Sequence, residues 1–301
     1  MHIPASMLNG AICPVTTAVS ALGLGVAATV ARKSEHKSSA AKFAAVTALI
    51  FALQMLNFPV QNGTSGHLIG ALLGVSLLGI PFAILSMAIV LAVQAVFFGD
   101  GGLNALGANI FNMGLIGAGL LGVIYQRMQA KGLNQKVSLG IASLLSVLSA
   151  AFVCSLEVGI SGTVAFSKVL PAMLSVHALI GLGEAVLTVV VVSALSFYAA
   201  LWKEKERQFA FGAFALAGLA AMLSPFASSF PDGLEWVAQK LSFMEFGGFE
   251  ISSMFPDYQA GFIANDGFST IVAGFAGIVL VSCLTWVIGK GLDPLRIKTS
   301  A

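Results

Sequence analysis

At 301 residues, 57% of them hydrophobic and only 9% charged, with a mean hydropathy of +0.94, the chain lies far below the roughly 25% charged content of ordinary soluble proteins. That excludes a soluble globular domain, and the net charge of +2 gives no footing for nucleic acid, because the basic residues sit in short segments between apolar runs. The three cysteines (Cys13, Cys154, Cys283) are dispersed inside apolar segments, which fits buried small hydrophobes and neither a disulfide framework nor a zinc pattern.

The first apolar run, 11–31, has no Lys or Arg before it, whereas Arg32, Lys33, Lys37 and Lys42 follow. A secretory signal has the opposite charge order, so a retained first helix with its amino terminus outside is expected. Further runs fall at 41–58, 67–80, 82–98, 109–126, 137–157, 174–201, 208–225 and 268–289. About 20 apolar residues cross the hydrocarbon core, and lipid leaves the backbone no partner but its own helix. The pattern predicts an all-α integral membrane bundle of about nine spans in the cell inner (plasma) membrane. The third run is short and ends at Gly79-Ile80-Pro81, where proline favours a break.

With the amino terminus outside, segments 32–42, 127–136, 203–207 and 290–301 face the cytoplasm, as does the carboxyl terminus. These hold 13 of the 15 Lys and Arg residues, all but Lys168 and Lys240, the asymmetry of the positive-inside rule. Asp100, Glu157, Asp232, Glu235, Glu245, Glu250, Asp257 and Asp266 gather on the outer side, where an acidic vestibule would concentrate cations. The longest polar stretch, 226–267, suggests a division into a seven-span unit over 1–220 and a two-span unit with an outer loop over 221–301.

Four histidines punctuate the chain. His36 lies among lysines and reads as solvated. The Met1 amine, the His2 backbone nitrogen and the His2 imidazole can bind one metal ion through five- and six-membered chelate rings. Such an all-nitrogen set favours square-planar Ni(II) or Cu(II), with Co(II) possible, and leaves one corner open. His67, behind the turn-rich Gln61–Gly66 segment, is the candidate for that corner. The glycine-rich stretch from Gly99 to Asn109, which includes Asp100, is irregular backbone at membrane depth. Such backbone is tolerated only when buried in protein or lining a cavity. His177 and Glu184 are seven residues apart on one helical face. They read either as a hydrogen-bonded structural pair or as support for the site. No phosphate loop, nucleophile elbow or H-E-x-x-H motif occurs, so an enzyme is not expected.

Met1-His2-Ile3-Pro4, the Asn62–His67 loop, GDGGLNALGANIFNMG (99–114) and VHALIGLGEAVLT (176–188) resemble the CbiM/NikM proteins. These are the substrate-capturing components of cobalt and nickel energy-coupling-factor importers. Pro231-Asp232-Gly233-Leu234-Glu235 and Phe255-Pro256-Asp257-Tyr258 resemble the small CbiN/NikN partner with its PDGLE motif, as in a natural fusion. The chain departs at Ala5-Ser6-Met7, where family members often carry Asp-Gly-Phe. The resemblance implies metal ligands at Met1, His2 and His67, with Asp100, Asn109, His177 and Glu184 behind them. It implies no cofactor of the chain's own and a transported Ni(II) or Co(II). The implied partners are a transmembrane coupling subunit of CbiQ/NikQ type and two ATPase subunits of CbiO/NikO type, within lipid and without nucleic acid. An ATP-independent channel or secondary carrier, or a metal-dependent membrane enzyme or sensor, are the rival expectations.

Overall fold

Lipid offers an amide no partner outside its own segment, and the chain folds accordingly. In the computed structural model, residues 2–34, 38–61, 63–201, 205–244 and 253–292 are described. They form α1 (Ile12–Lys33), α2 (Ala40–Gln54), α3 (Ala71–Leu78), α4 (Ile80–Phe98), α5 (Leu106–Ala130), α6 (Gln135–Ile160), α7 (Phe166–Ala200), α8 (Lys205–Leu223), α9 (Gly233–Lys240) and α10 (Asp266–Leu292). A two-stranded hairpin pairs β1 (Phe58–Pro59) with β2 (Ser65–Gly66). Helices α4 and α5 pass through π-helical turns at Gln94–Phe98 and Ile110–Leu120.

Each of the nine apolar runs contains a helix, and seven of the described helices are long and apolar enough to cross a membrane. The third run corrects its expectation. Its helix has eight residues, about 12 Å at 1.5 Å per residue, too short to cross by itself. The sequence from His67 to Gly70 stays out of helix, and Gly70 takes φ +75°, a conformation that glycine adopts without penalty. Gly79 then turns at φ +83° and Pro81 opens α4, so α3 and α4 form a tight hairpin. The seventh run starts earlier than expected, at Phe166, and α7 carries Pro171 through its second turn.

α2 lies at the centre, with twelve of its fifteen residues buried, under α3, α4, α8 and α10. A Cβ at Gly277 of α10 would run into the Phe51 ring of α2, so glycine sets how closely these two helices approach. A Cβ at Gly107 of α5 would strike the Thr17 backbone of α1. α8 is continuous through residue 220.

The described parts of the connections 56–70, 99–105, 161–165, 227–244 and 253–265 meet at one end of the bundle together with the amino-terminal segment. Thr163 Oγ1 donates to the Met7 carbonyl (2.8 Å), Gly102 N–H to the Ile3 carbonyl (3.0 Å), Ser228 N–H to Asn57 (2.8 Å) and Phe255 N–H to Phe97 (2.8 Å). Arg32, Lys33, Arg127, Lys136 and Lys290 sit at the opposite ends of their helices. Glu157 departs from the expected acidic rim: it is buried at 5% exposure in the last turn of α6, where it accepts from Asn112 Nδ2 (2.7 Å). Met1, His36, Glu245 and Glu250 lie outside the described residues.

Candidate functional site

Three segments distant in sequence converge where the loops meet. The first is His2-Ile3. Asn109, at the start of α5 and 2% exposed, reads the Ile3 backbone on both edges. Its Oδ1 accepts from Ile3 N–H (2.9 Å) and its Nδ2 donates to the Ile3 carbonyl (3.2 Å). The glycine-rich stretch closes over this strand-like contact. Gly101, at φ +85°, would place a Cβ 3.3 Å from His2 Cβ and 3.1 Å from Asn109 Nδ2. A side chain there would displace the His2 segment.

The second segment is the hairpin that delivers His67. Glu184, buried on α7, accepts from Ile69 N–H (2.6 Å) and Gly70 N–H (2.8 Å), and Gln54 Nε2 donates to the Ile69 carbonyl (2.7 Å). A carboxylate bridging two amides satisfies donors that the late start of α3 would otherwise leave buried and unpaired. These bonds fix the backbone two and three residues past His67. Its ring stacks on His2, with centroids 5.1 Å apart and 6° between planes. Both imidazoles are buried, each 7% exposed. Burial pushes His67 down to about 3, reinforced by the nearby His2 ring and opposed by Asp232 and by the Leu68 carbonyl 2.9 Å from Nδ1. The ring is therefore neutral at ordinary pH, the form that ligates metals.

The third segment is Pro231-Asp232-Gly233. Ser65 N–H donates to the Pro231 carbonyl (2.8 Å), and Ser65 Oγ to the Phe230 carbonyl (2.7 Å). The hairpin and the approach to α9 are thus joined main chain to main chain. Asp232 caps α9, accepting from Glu235 N–H (2.8 Å), while Glu235 Oε2 accepts from Asp232 N–H (3.1 Å), a reciprocal capping box. Asp232 Oδ2 lies 4.0 Å from His67 Nε2.

Asp100 faces the His2 ring, its Oδ1 2.9 Å from His2 Nδ1, and accepts at Oδ2 from the Tyr258 hydroxyl (2.6 Å). Tyr258 in turn accepts from Gln94 Nε2 (3.0 Å). Burial would raise the Asp100 carboxyl, but His2, Tyr258 and His67 outweigh it and hold it well below the usual carboxylate range. Nδ1 is the atom that closes a six-membered ring with the His2 amide nitrogen, and here it is turned onto Asp100. The other ring nitrogen, His2 Nε2, is buried without a hydrogen-bond partner.

Among the candidates, His2, His67, Asp100 and Asn109 come together, and Glu184 supports His67 through the backbone. Glu184 and His177 do not bond each other; the side chain of His177 meets the Met173 carbonyl one turn back (2.8 Å). Asp232, Tyr258 and Gln94 join this cluster; the sequence placed Asp232 only among the outer acidic residues and in the PDGLE motif, quoted Tyr258 only within a motif, and did not single out Gln94. The reciprocal Asp232/Glu235 spacing was the available signal for a helix start, but nothing in it pointed to His67.

A family model described as the cobalt uptake substrate-specific transmembrane region matches residues 2–202, and one described as the PDGLE domain matches residues 207–293. The chain is 35% identical over 301 residues to a putative fused nickel transport protein, NikMN, of Archaeoglobus fulgidus, across 96% of this chain and 98% of the relative. It is 34% identical over 167 residues to a cobalt transport protein, CbiM, of Carboxydothermus hydrogenoformans, across 52% of this chain and 68% of that one. The crystal structure of a transition metal transporter aligns with a TM-score of 0.60 at 34% identity, across 66% of this chain and 94% of the other.

Proposed function

Because the chain belongs to the CbiM family of cobalt-uptake substrate-specific transmembrane proteins and carries a PDGLE domain behind that region, we propose that it captures Ni(II) or Co(II) for an ATP-driven importer. It is a multi-pass membrane component of metal transport. The finer reading is a site of four nitrogens: the Met1 amine, the His2 amide and imidazole, and the His67 imidazole. The observation that supports it is the stacking of His2 on His67, two neighbouring buried rings delivered by segments 65 residues apart. Packing alone needs no imidazole nitrogens in such a place.

For the chelate to form, Nδ1 has to leave Asp100 and turn toward the His2 amide. Asn109 and Gly102 hold Ile3 throughout, so the ring turns on a fixed backbone. Asp100 and Asp232 supply negative charge beside a divalent ion. The chain divides into a capture unit over 2–202 and a PDGLE unit over 207–293, which contains both α8 and α10. The sidedness read from the basic residues puts the site on the outer face, and the ATPase and coupling subunits act from the cytoplasm and membrane.

The test is metal-binding stoichiometry on purified protein carrying one added residue before Met1. Binding is expected to vanish, since the added residue converts the amine to an amide; unchanged affinity refutes the ligand set. Uptake assayed with and without the ATPases separates the importer from a secondary carrier, which would transport fully without them.

A further inference from the structure

His177 is 1% exposed and takes no part in the hydrogen bonds that hold His2 and His67. Its Nδ1 lies 2.8 Å from the Met173 carbonyl. A carbonyl only accepts, so the ring hydrogen is on Nδ1 and the neutral imidazole carries its lone pair on Nε2. That Nε2 is buried without a hydrogen-bond partner. His177 lines a small cavity together with His67, Ile180, Asp232 and Gly233. A Cβ at position 233 would lie 2.8 Å from His177 Cε1 and 3.1 Å from Nε2, so the first turn of α9 rests directly on the ring, and only a glycine fits there. A buried acceptor with no donor is destabilising, and an apolar ring would fill the same space without that cost.

The order along α7 relates the two histidines. Glu184 holds the amides just past His67, and Ile180 lies against Gly66. His177 is seven residues before Glu184, about 10 Å nearer the Phe166 end at the helical rise. Ile180, between them on α7, lies against both Gly66 and Gly233, so His177 and the His67 segment border one cavity at neighbouring levels of the helix. His177 and Asp232 offer two donors here, against the four nitrogens read at Met1, His2 and His67, so the place is suited to passage and not to residence.

We propose that His177 Nε2 is a transient ligand for the incoming divalent transition-metal ion, which it takes with the Asp232 carboxylate beneath the first turn of α9 and passes to His67. This rests on the metal-capture reading above. The imidazole nitrogen and the carboxylate give a two-point hold, and the denser nitrogen set at His2 and His67 draws the ion onward. Entry requires the Asp232–Gly233 turn to shift off the ring, which makes the PDGLE unit the cover of this first contact.

The experiment is stopped-flow loading of the purified full chain with Ni(II) or Co(II), read beside equilibrium stoichiometry. His177→Phe keeps a ring and removes the nitrogen; loading is expected to slow about tenfold while stoichiometry and the absorption of the loaded site stay as in the unaltered chain. His177→Gln, whose amide is a poor ligand for these ions, is expected to be slow as well and serves if the Phe variant fails to fold. His177→Cys restores a ligand and is expected to recover most of the rate. Loading rates unchanged in both Phe and Gln variants overturn the proposal, and so does a lost stoichiometry that Cys fails to restore, because that marks a packing role. If the amino-terminal extension abolishes binding while His177→Phe loads at the normal rate, the capture reading stands and this entry step falls. If the unaltered chain binds neither ion, both fall.

Discussion

Asn109→Ala removes the side chain that holds Ile3 on both backbone edges. The Ile3 carbonyl keeps its bond from Gly102 N–H (3.0 Å), so that loss is one ordinary hydrogen bond, about 0.5–1.5 kcal/mol. The Ile3 N–H has no other partner and is left buried, at about 1–3 kcal/mol. Together the substitution weakens docking of the amino-terminal segment by about 2–4 kcal/mol, or about 30- to 1,000-fold in its opening equilibrium. The direct assay is hydrogen exchange of the peptide over residues 2–8, whose protection should fall by that factor while α6 and α7 keep theirs. Metal affinity responds differently. Loaded and unloaded sites lose the same contact, so affinity falls only to the extent that the opened segment becomes populated without metal. Protection within threefold of the unaltered chain would refute the claim that Asn109 holds the terminus.

Further outcomes follow from the same geometry. Glu184→Gln keeps the shape but offers one acceptor to two amides, setting its NH2 against Ile69 or Gly70 N–H; a loss of about 1–3 kcal/mol is expected, seen as a lower melting point in detergent and weaker metal binding. Gly107→Ala drives a methyl into the Thr17 backbone, and a poorly dispersed or unstable preparation on size-exclusion chromatography is expected where Gly10→Ala, with open space around its Cβ, costs only its φ strain. Metal binding through a deprotonated amide releases about one proton or more, so affinity should rise about tenfold per pH unit for each proton released. His67 is already neutral above about pH 5, since its folded value is about 3, and adds nothing to that slope; calorimetry in buffers of differing ionisation heat counts the protons, and a pH-independent affinity contradicts the amide ligand.

The spans were legible because lipid makes hydrophobicity and helix nearly the same statement, and the basic loops ordered their ends. The late start of α3 was not, because its apolar run continues through Leu68-Ile69, and what keeps those residues from helix is Glu184, more than a hundred positions away. Asp100 and Asn109 stood out as polar groups in a glycine-rich stretch at membrane depth. Their separate duties, one on a ring and one on a backbone, depend on where Ile3 lands. His177 and Glu184 shared a helical face as expected, yet a face two turns long allows two different neighbours, and each found its own. Asp232 was read as one of the outer acidic residues and part of the PDGLE motif; that it caps α9 beside His67 comes from the Ser65–Pro231 join, which is written in main-chain atoms and leaves no mark in side-chain chemistry.

That join has a further consequence. Ser65 meets Pro231 and Phe230, Asn57 meets Ser228, and Phe97 meets Phe255, all through carbonyls of one unit or the other. Contacts of this kind survive side-chain drift, and a few hydrogen bonds hold two partners only weakly when each diffuses freely. Covalent linkage changes the arithmetic, because a tethered partner is present at an effective concentration on the order of millimolar. A weak clasp is then closed most of the time and still opens quickly, so the fusion permits a cover over the histidines that is both persistent in place and brief in dwell.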